Sequence, residues 1–183
     1  MVDLARFLDD LASGRPAPSA GAAAAVTVAI SASLVAMVAR SSSRLDDAAG
    51  LADRADDLRV QAIAGIDEDA RRYRQVLASE PTRDEDPERF THAMRGANVV
   101  PAEVALLADE ISRAATRLVF DGSPRLRGDA ITAVVLASSA AAAATTLIEI
   151  NTEYGQLDDD ELVLARGYQA ACRQRVIDVG GYA

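Results

Sequence analysis

Apolar residues recur along this chain at steps of three and four, the period of a helix. Leu4, Phe7, Leu8 and Leu11 share one face, with Asp9 and Asp10 outside it, so residues 2–13 are predicted to form a short amphipathic helix. Pro16 and Pro18 end it, because neither suits a helix interior. A second helix is predicted from Ser19, a suitable N-cap, to about Arg40. A third spans roughly 45–79, on a stripe of Ala48, Leu51, Ala55, Leu58, Ala62, Gly65, Asp69, Tyr73 and Val76. On its outer face Asp67 with Arg71, and Glu68 with Arg72, stand at i,i+4 and read as surface pairs. A charged loop at 80–87 leads to a fourth helix over 88–120, where Pro101 predicts a kink or brief break near 98–100. A joint at 121–128 precedes a fifth helix over 129–153, and a last helix covers about 158–178. No repeat and no long linker divides the chain, which reads as one domain over 1–183.

Long helices with short joints predict an all-α, antiparallel up-down bundle. That topology sets which ends meet. The start of the second helix, the C-terminal half of the third with Asp69 and Tyr73, the start of the fourth with His92, Arg95 and Asn98, and the end of the fifth with Asn151 should share one end. Asp129 opens the fifth helix at the other end, 22 steps and so about 33 Å from Asn151. The two cannot serve one site within a subunit, although an antiparallel second copy would bring them together.

Composition narrows this picture. Of 183 residues half are hydrophobic, 39 are alanine, only 4% are aromatic, and all 19 basic residues are arginine. So few aromatic and β-branched residues argue against an all-β fold, while alanine is the best intrinsic helix former. A net charge of -9 makes phosphate-driven nucleic-acid binding a poor expectation. One cysteine, Cys172, rules out a disulfide framework or a thiolate zinc site. One histidine, His92, rules out a His-rich metal site. Residues 16–39 and 130–148 carry no charge and are about long enough to cross a bilayer, but Ala, Ser, Thr and Gly gain little from lipid. We read both as closely packed helices, at the core or at a dimer seam. With no basic leader at the N-terminus, a cytoplasmic protein is expected.

Asp69 is the leading candidate for chemistry. It interrupts an apolar stripe, and a carboxylate withdrawn from water has a raised pKa unless paired, which suits a general acid or base. The plainer alternative is a buried Asp that fixes helix register. Tyr73 lies one turn on. Ser19-Ala20-Gly21-Ala22 opens a helix, so free backbone N–H groups there can meet an anion or a carbonyl, though many helices simply begin with Ser. Asn151 offers an amide to a planar heterocycle, or ends its helix with no further role. His92 can carry a proton but is expected to be solvent-exposed. Asp129 favours the dipole of its own helix. Cys172 is expected to pack.

These positions carry a resemblance. FLDDLASGRPAPSAGA, Phe7 to Ala22, and the small-residue helix after it are similar to the F-x-x-x-L-A-S-x-x-P-x-P-G-G-G-S opening of the cyclodeaminase/cyclohydrolase family. IDEDARRYRQV, Ile66 to Val76, resembles its I-D-x-D-A-x-A-[FY]-x-x-V segment. VVPAEVA around Pro101, and GDAITAV through IEIN from Asp129 to Asn151, resemble two more, so nearly the whole chain is covered in order. The resemblance implies a helical homodimer acting on a small molecule, without metal or a certain cofactor, with a tetrahydrofolate one-carbon derivative as a possible substrate. Together with the reading of the residues, it gives Asp69, Tyr73 and Asn151 as catalytic candidates, and Pro18, Ser19, Gly21, His92 and Asp129 as substrate-binding ones. The chain also departs from the pattern. Ser19 and Ala20 replace the first two glycines, Ala22 replaces the serine, Leu147 and Arg40 stand where asparagines are usual, and the usual lysines are missing. Three functions stay open: a folate enzyme, the same scaffold turned to another nitrogen-containing or cyclisable substrate, and a non-catalytic dimeric binding protein.

Overall fold

The computed structural model describes residues 3–181, so residue 2 of the first predicted helix lies outside the described residues. Six α-helices follow one another: α1 (Leu4–Ala12), α2 (Ala20–Arg40), α3 (Ala48–Ser79), α4 (Pro87–Asp121), α5 (Arg127–Gly155) and α6 (Asp160–Gly180). Single 3-10 turns, Glu80–Thr82 and Pro124–Leu126, fill the joints before α4 and α5. Among the described residues there is no strand. Consecutive helices from α2 onward pack against each other, and α2 and α4 also make contacts beyond their neighbours, with α5 and α6.

Alanine explains how closely this bundle closes. Ala22, Ala25 and Ala32 of α2, and Ala133, Ala137, Ala141 and Ala144 of α5, are fully buried. Short side chains at a helix contact allow axes to approach toward the lower end of the usual 8–10 Å range. Hydroxyls tie the layers: Ser31 Oγ donates to the Ala133 carbonyl at 2.7 Å, and Thr145 Oγ1 reaches the Ala165 carbonyl of α6 at 3.3 Å. α2 and the segment Pro124–Gly155 are both long and apolar enough to cross a membrane, but 61% of the α2 window is buried inside the bundle. Its apolar surface is used by its helical neighbours.

Several sequence expectations need correction. Of the kink or break expected near 98–100, the break is absent, since α4 runs through Pro101 as one helix. Pro101 is buried between neighbouring helices, and their packing outweighs a cost of about 3 kcal/mol. In α1 only Phe7 is buried; Leu4 and Leu8 stay exposed. Its N-cap is Asp3, which accepts from the Ala5 and Arg6 N–H groups. On α3, Arg71 pairs with Glu68 instead of Asp67, so one carboxylate holds both Arg71 and Arg72. Arg40, at a departure from the family pattern, pairs with Asp56 of α3.

Candidate functional site

At the end where α2 begins, the bundle opens into a cavity of about 350 Å³. Helical spacing supplies its walls. α3 contributes Asp69, Tyr73 and Val76, α4 contributes Met94, Ala97 and Pro101, and α5 contributes Leu147, Ile150, Asn151 and Tyr154. The α2 start closes it with Ser19, Ala20 and Gly21. A volume in this range suits a small-molecule site.

Asp69 is the centre of this arrangement. It is 8% exposed, and its Oδ2 accepts from the Ala22 N–H at 3.1 Å and from Ser19 Oγ at 3.2 Å. Ser19 therefore occupies the cap position of α2 without capping it. Its hydroxyl goes to Asp69, and a carboxylate from α3 takes one of the orphan N–H groups of α2 instead. Burial pushes the Asp69 carboxyl above the ordinary range, and the bonds from Ser19 and Ala22 only partly oppose this. The result is a carboxyl held at one place with its pKa moved up from the ordinary carboxylate range, which suits a group that must both take and give a proton.

Gly21 makes this possible. A Cβ there would overlap Asp69 Oδ1 and lie 2.6 Å from Asp69 Cγ. The carboxyl occupies the space a side chain would take. This is a physical reason for glycine at position 21 while the preceding positions carry Ser19 and Ala20.

Tyr73 and Asn151 also face the cavity. Tyr73 is 37% exposed, because at this level the α3 stripe borders the opening and not the core. Among the described residues the Asn151 amide makes no hydrogen bond, so it is open to a ligand. Pro101 cannot donate a backbone N–H, which leaves the Ala97 carbonyl without its helical partner on a residue that lines the cavity.

Three sequence candidates fall outside. His92 is exposed and does not reach the cavity, because α4 turns Met94, Ala97 and Pro101 inward and two residues on a helix are about 200° apart. Pro18 lines a neighbouring cleft with Phe7 and Arg74, on the α1 side. Asp129 stands in the first turn of α5, at the opposite end of the molecule from Asn151. Cys172 is fully buried against Ser112, and burial raises its thiol, so it packs. Among the described residues no group of three or more His, Cys, Asp or Glu could hold a metal ion.

Two polar residues of the cavity escaped the sequence reading. Tyr154 was detectable, since Leu147, Asn151 and Tyr154 follow at steps of four and three. Glu80 was not: it sits among the acids of a charged loop, and only the turn after α3 brings it to the cavity.

The family model for formiminotransferase-cyclodeaminase matches residues 3–170 of this chain. Among solved structures, the crystal structure of formiminotetrahydrofolate cyclodeaminase from Thermotoga maritima is similar, with a TM-score of 0.85. The two chains are 19% identical, and the similarity covers 96% of this chain and 93% of the other. No curated protein sequence matches.

Proposed function

The chain belongs to the formiminotransferase-cyclodeaminase family, and from that premise we propose that it is an enzyme making or breaking a C–N bond at an amidine-type carbon. A formimino-bearing tetrahydrofolate is the leading substrate. The observation that carries this reading is Asp69, a buried carboxyl with a raised pKa at the wall of a small-molecule cavity.

Ring closure shows why such a group is useful. N10 attacks the protonated formimino carbon, the N10–C bond forms, and the bond from carbon to the departing nitrogen breaks. The N10 proton must leave, and the departing nitrogen must gain one before it goes as ammonia. A single carboxyl that takes the first and gives the second balances the step and returns to its starting state. The positive charge stays on the bridged ring. Asn151 and the Ala97 carbonyl offer polar contacts to the heterocycle, and Tyr73 stands one turn from the acid. In the ring-opening direction water would instead add to the carbon of the closed methenyl bridge, one C–N bond of the bridge would break, and the carboxyl would pass one water proton to the departing nitrogen while the other goes to solvent.

A second substrate class has support of its own. Leu147 lines the cavity where a polar residue is usual in the family pattern, so the pocket is more apolar there. A related cyclisable substrate outside folate metabolism would suit that wall.

We also read the molecule as a cytoplasmic homodimer. From Thr132 to Thr146 the exposed residues of α5, Thr132, Val135, Ser139, Ala143 and Thr146, are all uncharged. On α2, Ile30 and Met37 are exposed at 47% and 39%. Antiparallel pairing on this face would carry a second copy's Asp129 toward the cavity end.

The test is turnover of 5-formiminotetrahydrofolate, followed by ammonia release and formation of the methenyl product. Asp69→Asn is expected to lower kcat roughly 100-fold or more, with helicity unchanged by circular dichroism. No turnover together with no folate binding by calorimetry would remove the folate reading. Full activity in the variant would remove Asp69.

A further inference from the structure

The cavity holds a second carboxylate that ring closure does not use. Asp69 and Glu80 both line it, and none of its lining residues is basic. Glu80 forms no ion pair among the described residues, and one oxygen, Oε1, accepts from the Tyr154 hydroxyl at 2.6 Å. Its other oxygen has no hydrogen-bond partner there. The nearby positive charge is otherwise engaged: the Arg83 guanidinium lies over the Phe90 ring at 4.7 Å and the Tyr154 ring at 4.9 Å, and its Nη2 donates to the Tyr154 carbonyl at 3.3 Å. Phe90 meets Tyr154 edge to face, with ring centres 5.6 Å apart. Tyr154 is thus braced from behind, with its hydroxyl bonded to one oxygen of Glu80. That bond also holds the Tyr154 phenol above its ordinary pKa, so the hydroxyl stays a donor.

A carboxylate with one oxygen open and the other bonded to an exchangeable hydroxyl matches a particular partner. Two adjacent N–H groups on a flat ring can meet both oxygens in a bidentate pair, which is stronger and more directional than the single bond from Tyr154. A carbonyl at that edge cannot. Val76, Leu77 and Met94 give apolar walls for the ring faces. Eleven residues separate Asp69 from Glu80, about 16 Å along the axis. Subtracting the reach of the two side chains leaves room for a bicyclic ring between them. The reacting atom would lie toward Asp69 and the N–H edge at Glu80.

We propose that Glu80 is a specificity-determining residue, which exchanges the Tyr154 hydroxyl for the amidine- or guanidine-type edge of a flat bicyclic substrate. This rests on the reading of the cavity as the substrate site.

The experiment compares binding of pterin and lumazine, which differ by an amino group against an oxygen at the position that would face Glu80. Calorimetry is run on the full chain as wild type, Glu80→Gln and Tyr154→Phe, with circular dichroism to establish that each is folded. Wild type is expected to prefer pterin roughly 10-fold. Glu80→Gln should erase the preference, and Tyr154→Phe, which removes only the competing donor, should keep it. Equal binding of both rings by wild type, no pterin binding at all, a preference that survives in Glu80→Gln, or one lost in Tyr154→Phe would each overturn the assignment. Turnover of 5-formiminotetrahydrofolate by wild type separates the two readings. If turnover is present while the ring preference ignores Glu80, the inference about Glu80 alone fails.

Discussion

Asp69 and Gly21 act as one unit, since the carboxyl of the first fills the space that a side chain at the second would occupy. Gly21→Ala forces Asp69 out of its place between Ser19 and Ala22. Overpacking of this kind costs about 1–3 kcal/mol, and the acid is misplaced as well. We expect a lower denaturation midpoint and a loss of turnover approaching that of Asp69→Asn. Activity at the wild-type level would show that the carboxyl does not need this position. Asp69 also leaves a mark on stability against pH. Its folded pKa is raised, so its contribution is fully present below the ordinary carboxylate range and is lost as pH rises through the raised value. Asp69→Asn should flatten that part of the profile in chemical denaturation at a series of pH values.

Among the elements, α4 carries the most tertiary information. It runs through Pro101 because packing on its neighbours supplies what the proline removes, and Pro101 then faces the cavity. At its other half Asp109, 4% exposed, accepts from Arg175 of α6 at 2.7 Å and from Arg113 at 2.6 Å. Arg175 also donates to Ser112 Oγ at 2.8 Å, beside the buried Cys172. This network fixes α6 against α4. Arg175→Met is expected to cost about 2–3 kcal/mol, the worth of hydrogen bonds to a charged group, read as a shift in the urea midpoint. Arg113 remains to satisfy Asp109, so the variant should stay folded. Substitution of Arg113, whose side chain is 69% exposed, should cost less.

For the whole molecule, the expectation to test is that a second copy packs on the uncharged stretch of α5 between Thr132 and Thr146. Analytical ultracentrifugation at micromolar concentration is expected to give a dimer, and Ala143→Arg in that face should give a folded monomer. A monomeric wild type would refute the dimer. If antiparallel pairing on this face completes the site, the Ala143→Arg monomer should also lose turnover, although Ala143 does not line the cavity.

Much of this was legible in the chain itself. Periodicity of three and four located the helices, since burying one face is a local consequence of the residue pattern. Alanine excess indicated close packing, and antiparallel order followed from short joints. The order alone brought Ser19, Asp69, Tyr73 and Asn151 to one end. The remainder depended on which way each helix rotates and what fills the space between, and neither is encoded locally. Hence His92 turned out of the cavity, Pro18 went to another cleft, and Ser19 gave its hydroxyl to Asp69 instead of to its own helix. Glu80 emerged from a run of acids as a cavity residue. Rotation and contact are set by the sum of packing over all six helices. Tertiary structure therefore decided that an alanine-rich bundle has a carboxyl seated against a bare glycine, and a second carboxylate at the far wall.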